Sequence, residues 1–319
     1  MLTFILRRLL IVVPMLLVIS FLIYLGLELT PGDAVSHMID PEAASRMTPE
    51  QLQELRETFG LNKNFVERYG IWLFNILQGD FGRSLSGGVP ISEIFLDRLP
   101  ATLELSFFAL LFSTIIGCLL GTFSALKRGS ATDSSLTVIG MLGISIPEFF
   151  FGLVSILIFA LHFQWLPVGG RLLPGYETFL DRAPHVVLPA LVLSMMMTAG
   201  VMRYSRAAML DSLSREFIRT ARSKGLPEWR INFIHGFRVA LTPVVVLIGF
   251  RLPTLIGGSV IIEEVFQWPG IGSEFIDAVR GADYPLVMMI ALFSVFAMLL
   301  ARLIVDVLTA LIDPRVRLS

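Results

Sequence analysis

Apolar runs of about 20 residues recur six times along this 319-residue chain, and that is the length an α-helix needs to cross a hydrocarbon layer about 30 Å thick. They are Leu9–Leu29, Ala101–Leu126, Leu136–Phe163, Val186–Met202, Val239–Ile262 and Leu286–Ile312. In lipid, each backbone N–H and C=O has to be satisfied without water, so runs this long form helices. The expected class is an all-α integral membrane protein with six transmembrane helices. Composition agrees, with 55% of residues hydrophobic and 16% charged, well to the membrane side of soluble averages. A net charge of −1 leaves no surplus of cations for a nucleic-acid partner. Val186–Met202 is the shortest run and is rich in methionine (Met195, Met196, Met197, Met202), while Pro184 and Pro189 suit the start of a helix. Cys118, inside an apolar run, reads as a small packing residue.

The first run is preceded by Arg7-Arg8, is about twice the length of a signal-peptide core, and is followed by no small-x-small cleavage pattern. It reads as an uncleaved anchor. Lys and Arg are retained on the cytoplasmic side of a membrane. With both termini inside, the inside segments hold fourteen of them and the short outside loops three, namely Arg171, Arg182 and Arg280. The N and C termini are therefore expected to be cytoplasmic. The chain then divides into an N-terminal transmembrane helix (1–30), an extracytoplasmic segment with amphipathic helices (31–100), and a five-helix core (101–312) that contains a cytoplasmic loop at 203–238. In the outer segment Thr48-Pro49-Glu50-Gln51 has the capping-box pattern, with Leu52, Leu55 and Phe59 at helical spacing and Gly60 placed to end the helix. Phe65, Tyr69, Trp72, Leu73 and Ile76 share a second apolar face. Two readings stay open: surface helices at the outer leaflet, or a small lid that meets a soluble partner.

Ionisable side chains at membrane depth cost several kcal/mol unless paired or wet, so Glu104, Glu148, Arg251, Arg302 and Asp306 each require an explanation. Arg302 and Asp306 are four apart and read as an intramembrane ion pair along one helix face. Glu148 follows Pro147, and Arg251 stands two residues before Pro253, where a kink lines a cavity with backbone. These two pair with each other and hold neighbouring helices together, or line a water-filled translocation pathway, Arg251 for a carboxylate and Glu148 for a cationic group, or snorkel their charged ends to the interface. Gly117-Cys-Leu-Leu-Gly121 has the small-xxx-small spacing of closely packed helices, and Gly257-Gly258 reads the same way.

The stretch Arg203–Arg238 carries eight Lys or Arg residues, too many for a simple tether. Its centre reads as a short helix from Glu216 to Lys224, ended by Gly225 and Pro227. Zinc-protease and nucleophile-elbow motifs are absent, and the four histidines (37, 162, 185, 235) are scattered, so no catalytic or metal-binding residue is assigned. There is no Gly-x-x-x-x-Gly-Lys-Ser/Thr phosphate loop either. Any ATP-driven step must use a motor on another polypeptide.

Several fragments then point the same way: Thr30-Pro-Gly-Asp33, Gly79-Asp-Phe-Gly82, Trp165-Leu-Pro-Val-Gly-Gly170, Glu263-Glu-Val-Phe-Gln-Trp-Pro-Gly-Ile-Gly272, Asp283-Tyr-Pro285 and Asp313-Pro-Arg315. Together with Arg219-Thr-Ala-Arg-Ser-Lys-Gly225, they make the chain resemble the permease subunit of a bacterial ABC importer of the dipeptide, oligopeptide and nickel branch. Importers of this kind carry a Glu-Ala-Ala-x-x-x-Gly element in the loop. Here Ala221 and Gly225 match it while Arg219 and Thr220 replace Glu and Ala, and Pro243 follows at the longer distance similar to the peptide branch. Arg302 departs from the Asn more often found in such proteins. The resemblance implies a type I ABC importer permease fold in the bacterial inner membrane, with Glu216, Arg219, Thr220, Ala221, Arg222, Lys224 and Gly225 coupling it to an ATPase. It implies a second homologous permease subunit, two ATP-binding cassette ATPase subunits and an extracytoplasmic substrate-binding protein as partners. This chain would bind no cofactor itself, ATP and Mg belonging to the ATPases. The implied activity is movement of short peptides, or alternatively a nickel or other metal chelate, into the cytoplasm by alternating access. Readings from other classes are a proton-coupled secondary transporter using Glu148 or Asp306, which would usually show an internal repeat, and a scaffold that holds an outer partner through segment 31–100.

Overall fold

A computed structural model describes residues 2–30, 46–48, 50–51, 63–171 and 178–312, and their regular structure is helical apart from an isolated bridge between Arg83 and Pro90. Helix α1 spans Leu2–Glu28, α2 Phe65–Leu77, α3 Ile91–Leu126, α4 Ala131–Ser145 and α5 Glu148–Ser155, which runs on as a π-helix over Ile156–His162. Then come α6 (Phe179–Ser214), α7 (Glu216–Ser223), a π-helix at Arg230–Gly236 leading into α8 (Phe237–Gly258), α9 (Val260–Val265), α10 (Ile271–Arg280) and α11 (Tyr284–Ile312). Among the described residues, five helical segments are long and apolar enough to cross a membrane: Leu6–Glu28, Ile91–Leu126, Leu180–Ser214, Arg230–Gly249 and Tyr284–Val307.

The run Leu136–Phe163, expected as one crossing, is instead two helices broken at Ile146-Pro147. Proline has no N–H for the helix ladder and pushes the residue before it out of the helical region. Pro147 thereby becomes the cap of α5, with ψ at 135°. The short run Val186–Met202 is in fact the middle of a 36-residue helix. Helix α6 starts from a complete capping box, Thr178 and Asp181 each binding the other's backbone N–H. Its most apolar stretch is 78% buried, against 11–33% for the other four, so its neighbours are largely protein. The same helix carries Arg203 and Arg206, so the stretch expected as a loop at 203–238 is largely helical.

Helix α3 begins ten residues before its apolar run, at Ile91, and packs along α6 where Gly117 and Gly121 leave room for the other backbone. At one end of this pair, Ala101, Leu105, Val186, Ile262, Phe266 and Trp268 form the main buried cluster. The Trp268 indole N–H donates to the Ala101 carbonyl at 2.8 Å. Helix α2 is held to α1 by its rings: Tyr24 lies 5.6 Å from Phe65 and 5.2 Å from Trp72, and Tyr69 lies 5.4 Å from Phe21. The Tyr69 hydroxyl is 2.8 Å from that of Ser20, and Arg68 binds Glu28 at 2.5 Å. The capping box at Thr48 is formed, with Thr48 N–H donating to Gln51 Oε1 at 2.9 Å and Gln51 N–H to Thr48 Oγ1 at 3.3 Å. Leu52, Leu55, Phe59 and Gly60, the end of the Thr30–Asp33 motif and Asp313–Arg315 lie outside the described residues.

Candidate functional site

Helix α7 is an eight-residue helix between two longer ones, with one apolar side and one charged side. Ile218 and Ala221 turn inward and pack with Leu213, Leu226 and Ile231, which fixes α7 against the end of α6 and the π-turn before α8. Glu216, Phe217, Arg219, Thr220, Arg222 and Lys224 remain exposed. Arg219 pairs with Glu216 at 2.9 Å, and Arg222 makes a two-pronged pair with Glu228 at 2.8 and 3.2 Å. The Arg222 hydrogen bonds hold the Glu228 carboxyl below its ordinary range. Thr220 Oγ1 donates to the Glu216 carbonyl at 3.1 Å. Lys224 is the C-cap, and Gly225 follows at φ +74°, a left-handed conformation that glycine adopts without steric cost. The charged surface is thus carried on a short, well-terminated helix with a single buried seam.

The residues expected inside the membrane are distributed over several contacts. Glu148 opens α5 and borders a small cavity with Gly143, Phe151, Val192, Met195 and Met196. Arg251, on α8, reaches α6 at Gly200, where an ideal Cβ would lie 2.6 Å from its Nη2. Both residues therefore meet α6, at points about one turn apart along it. Asp306 does not take Arg302 as its partner. Its Oδ2 binds Arg8 Nη1 of α1 at 3.2 Å, while Arg302 points outward from α11. The i,i+4 spacing allowed the Arg302–Asp306 pair, but the packing of α1 on α11 supplies Asp306 with a cation from the far end of the chain. Glu104 is paired with Arg171, whose Nη2 and Nε lie 2.6 and 2.7 Å from Oε2, each side chain 13% exposed.

Three buried carboxylates received no role from sequence reasoning. Glu263 is fully buried. Its Oε1 accepts the hydroxyls of Thr102 (2.9 Å) and Ser259 (2.8 Å), and its Oε2 accepts the N–H groups of Gly272 (2.7 Å) and Ser273 (3.0 Å). One side chain thereby ties α9, the start of α10 and α3 together. At the other end of the α3–α6 pair, Asp133 accepts from Arg206 Nε at 3.0 Å and Nη2 at 2.7 Å, from the Gly129 N–H at 3.0 Å, and from the Ser124 hydroxyl. Asp283, also buried, accepts the Ser84 hydroxyl at 2.5 Å and caps α11 through the Leu286 N–H at 3.2 Å. The signal for Glu263 and Asp283 was their place in the Glu263–Gly272 and Asp283–Pro285 fragments.

Residues 117–318 match the binding-protein-dependent transport system inner membrane component, and residues 1–106 match the N-terminal part of the binding-protein-dependent transport system membrane component. The chain is 38% identical over 318 residues to the oligopeptide transport system permease protein AppB of Bacillus subtilis, with 99% of each chain covered. It is 37% identical over 336 residues to the di/tripeptide transport system permease protein DppB of Pseudomonas aeruginosa, again with 99% of each covered. Identity is 35% over 339 residues to the dipeptide transport system permease protein DppB of Escherichia coli K12, at 99% coverage of both. Matched from one terminus to the other, this multi-pass membrane protein belongs to the family of binding-protein-dependent transport system inner membrane components.

Proposed function

We propose that this chain is a pore subunit of an ATP-driven importer that moves short peptides into the cytoplasm by alternating access. Its relatives are named for oligopeptide, di/tripeptide and dipeptide transport, which supports peptides as the cargo. In this reading the chain crosses the membrane six times, the broken α4–α5 pair forming the third crossing, and both termini are cytoplasmic. A second permease subunit, two ATPase subunits and an extracytoplasmic binding protein complete the transporter. ATP and Mg are bound by the ATPases and no cofactor by this chain.

The observation that carries the reading is α7, a helix with an exposed charged side and a buried seam to the ends of two long helices. Seated in an ATPase cleft, α7 passes the closing of the ATPases to α6 and α8. A chain without a phosphate loop needs such a handle. The reconstituted transporter tests this. Gly225→Asp puts a side chain at a left-handed position, which costs about 1 kcal/mol, and Arg222→Glu sets a carboxylate against Glu228. Each is expected to weaken ATPase binding about tenfold or more and to abolish uptake. ATPase binding at the wild-type level in both variants would sink the proposal.

Glu148 and Arg251 line the route in this reading, offering opposite charges to a zwitterionic peptide from two sides of α6. Glu148→Gln and Arg251→Gln are each expected to lower peptide uptake about tenfold while ATPase binding is retained. Unchanged uptake in both would return them to the role of helix-packing groups.

A further inference from the structure

We infer that Asp133 and Arg206 are positioning residues that make α4 travel with α6 when α7 moves, an inference that rests on the importer reading above. Helix α4 is already capped without Arg206. The Ser130 hydroxyl accepts the Asp133 N–H at 3.3 Å, and Asp133 accepts the Gly129 N–H. The guanidinium therefore adds a tie between helices and not a cap. It is two-pronged, from Nε and Nη2, and Nε also donates to Ser124 Oγ of α3 at 3.0 Å. The Asp133 side chain is 9% exposed and that of Arg206 32%, so the contact is partly buried at the edge of the neighbouring cavity.

The position of the tie gives it a mechanical role. Arg206 stands eight residues before Ser214, about 12 Å along the helix from the point where α6 gives way to α7. On the α3 side, α6 is in direct backbone contact: an ideal Cβ on Gly121 would lie 2.9 Å from the Arg206 nitrogen. On the α4 side a cavity intervenes beside the clasp. Next to the clasp, α4 and α6 part around a cavity of about 530 Å³ lined by Ser134, Thr137, Val138 and Met141 on one side and Met202 and Arg203 on the other. Beyond it the helices close up, first at Gly140, whose ideal Cβ would fall against the Met202 thioether, and then at Gly143, where an ideal Cβ would lie 2.7 Å from the Met195 carbonyl. Across that gap the Met202 thioether is soft and transmits little, whereas a bidentate ion pair resists both sliding and rotation. Without the clasp, the first two turns of α4 can lag behind α6.

The complete transporter in proteoliposomes tests this through the number of peptides taken up per ATP hydrolysed. A merely stabilising contact changes the amount of assembled complex, not this ratio. Asp133→Asn is expected to lower the ratio about fivefold, and the exchange Asp133→Arg with Arg206→Asp to recover at least half of it. A wild-type ratio in Asp133→Asn, or no recovery in an exchanged complex that assembles, overturns the inference. Spin labels at Ser134→Cys and Tyr204→Cys, both exposed, in a Cys118→Ala background give a second readout that keeps the clasp intact. Their separation is expected to be the same with and without ATP, and a change on ATP binding overturns the inference even if no Asp133 variant assembles. A wild-type complex that hydrolyses ATP yet takes up no peptide would instead sink the importer reading, and the label separation would still decide the clasp.

Discussion

Glu263→Ala is expected to destabilise the protein by roughly 4 kcal/mol, because four donors lose one acceptor at a fully buried site. Each stranded buried donor costs about 1–3 kcal/mol, and water entering the vacated space offsets part of the sum. Glu263→Gln separates hydrogen bonding from charge. Its carbonyl oxygen can face the Gly272 and Ser273 N–H groups, while its NH₂ donates to the hydroxyls of Thr102 and Ser259, which accept as well as donate. The expected loss is then about 1–2 kcal/mol, the difference between charge-assisted and neutral hydrogen bonds. Thermal unfolding in detergent, followed by tryptophan fluorescence, is the measurement, since Trp268 lies buried beside the site. An Ala variant that melts with the wild type would show that the cage holds nothing together. Uptake is expected to fall with stability in the Ala variant, because α9 and α10 are joined to α3 through this one carboxylate.

Gly121→Leu is expected to prevent the bundle from assembling, and Gly121→Ala to cost about 2–3 kcal/mol. An ideal Cβ at this position falls 2.5 Å from the Met202 carbonyl oxygen, 2.8 Å from Ser205 Cβ and 2.9 Å from the Arg206 nitrogen. Two of these three are backbone atoms and cannot rotate aside, so α3 and α6 must separate. In lipid no hydrophobic force draws the helices back, and the lost van der Waals contact is not replaced. Gly70→Ala is the control: its ideal Cβ meets nothing within 4 Å, and on the exposed side of α2 alanine is expected to be neutral or to stabilise by up to about 1 kcal/mol. Size-exclusion profiles and melting temperatures of the three variants check both statements. A monodisperse, normally folded Gly121→Leu protein would contradict the packing argument.

Features of the chain that depend on neighbouring residues are legible in its sequence. The short helix at Glu216 and its stop at Gly225 follow from a polar start, an apolar pair at Ile218 and Ala221, and a glycine in a left-handed conformation. The capping box at Thr48 and the close approach at Gly117 and Gly121 were legible for the same reason: each depends on residues three or four apart. The proline that breaks the third run was visible as a kink, but not as two separate helices. Partner choice was not legible. Nothing nearby distinguishes Glu263 from Glu264, yet the first is sealed inside while the second reaches Arg280 at 2.8 Å. Asp306 likewise takes Arg8 over the nearer Arg302, because the direction in which α11 faces α1 decides which cation is within reach.

By itself, then, the sequence determined that this chain is a set of membrane-length helices with caps, breaks and a charged connecting helix. Hydrocarbon thickness and backbone hydrogen bonding impose those features segment by segment. Only the tertiary structure decided that α6 is the most buried of the long helices, and which charges neutralise one another. Those outcomes depend on contacts between residues up to about 300 positions apart, whose energies arise only once the helices are packed.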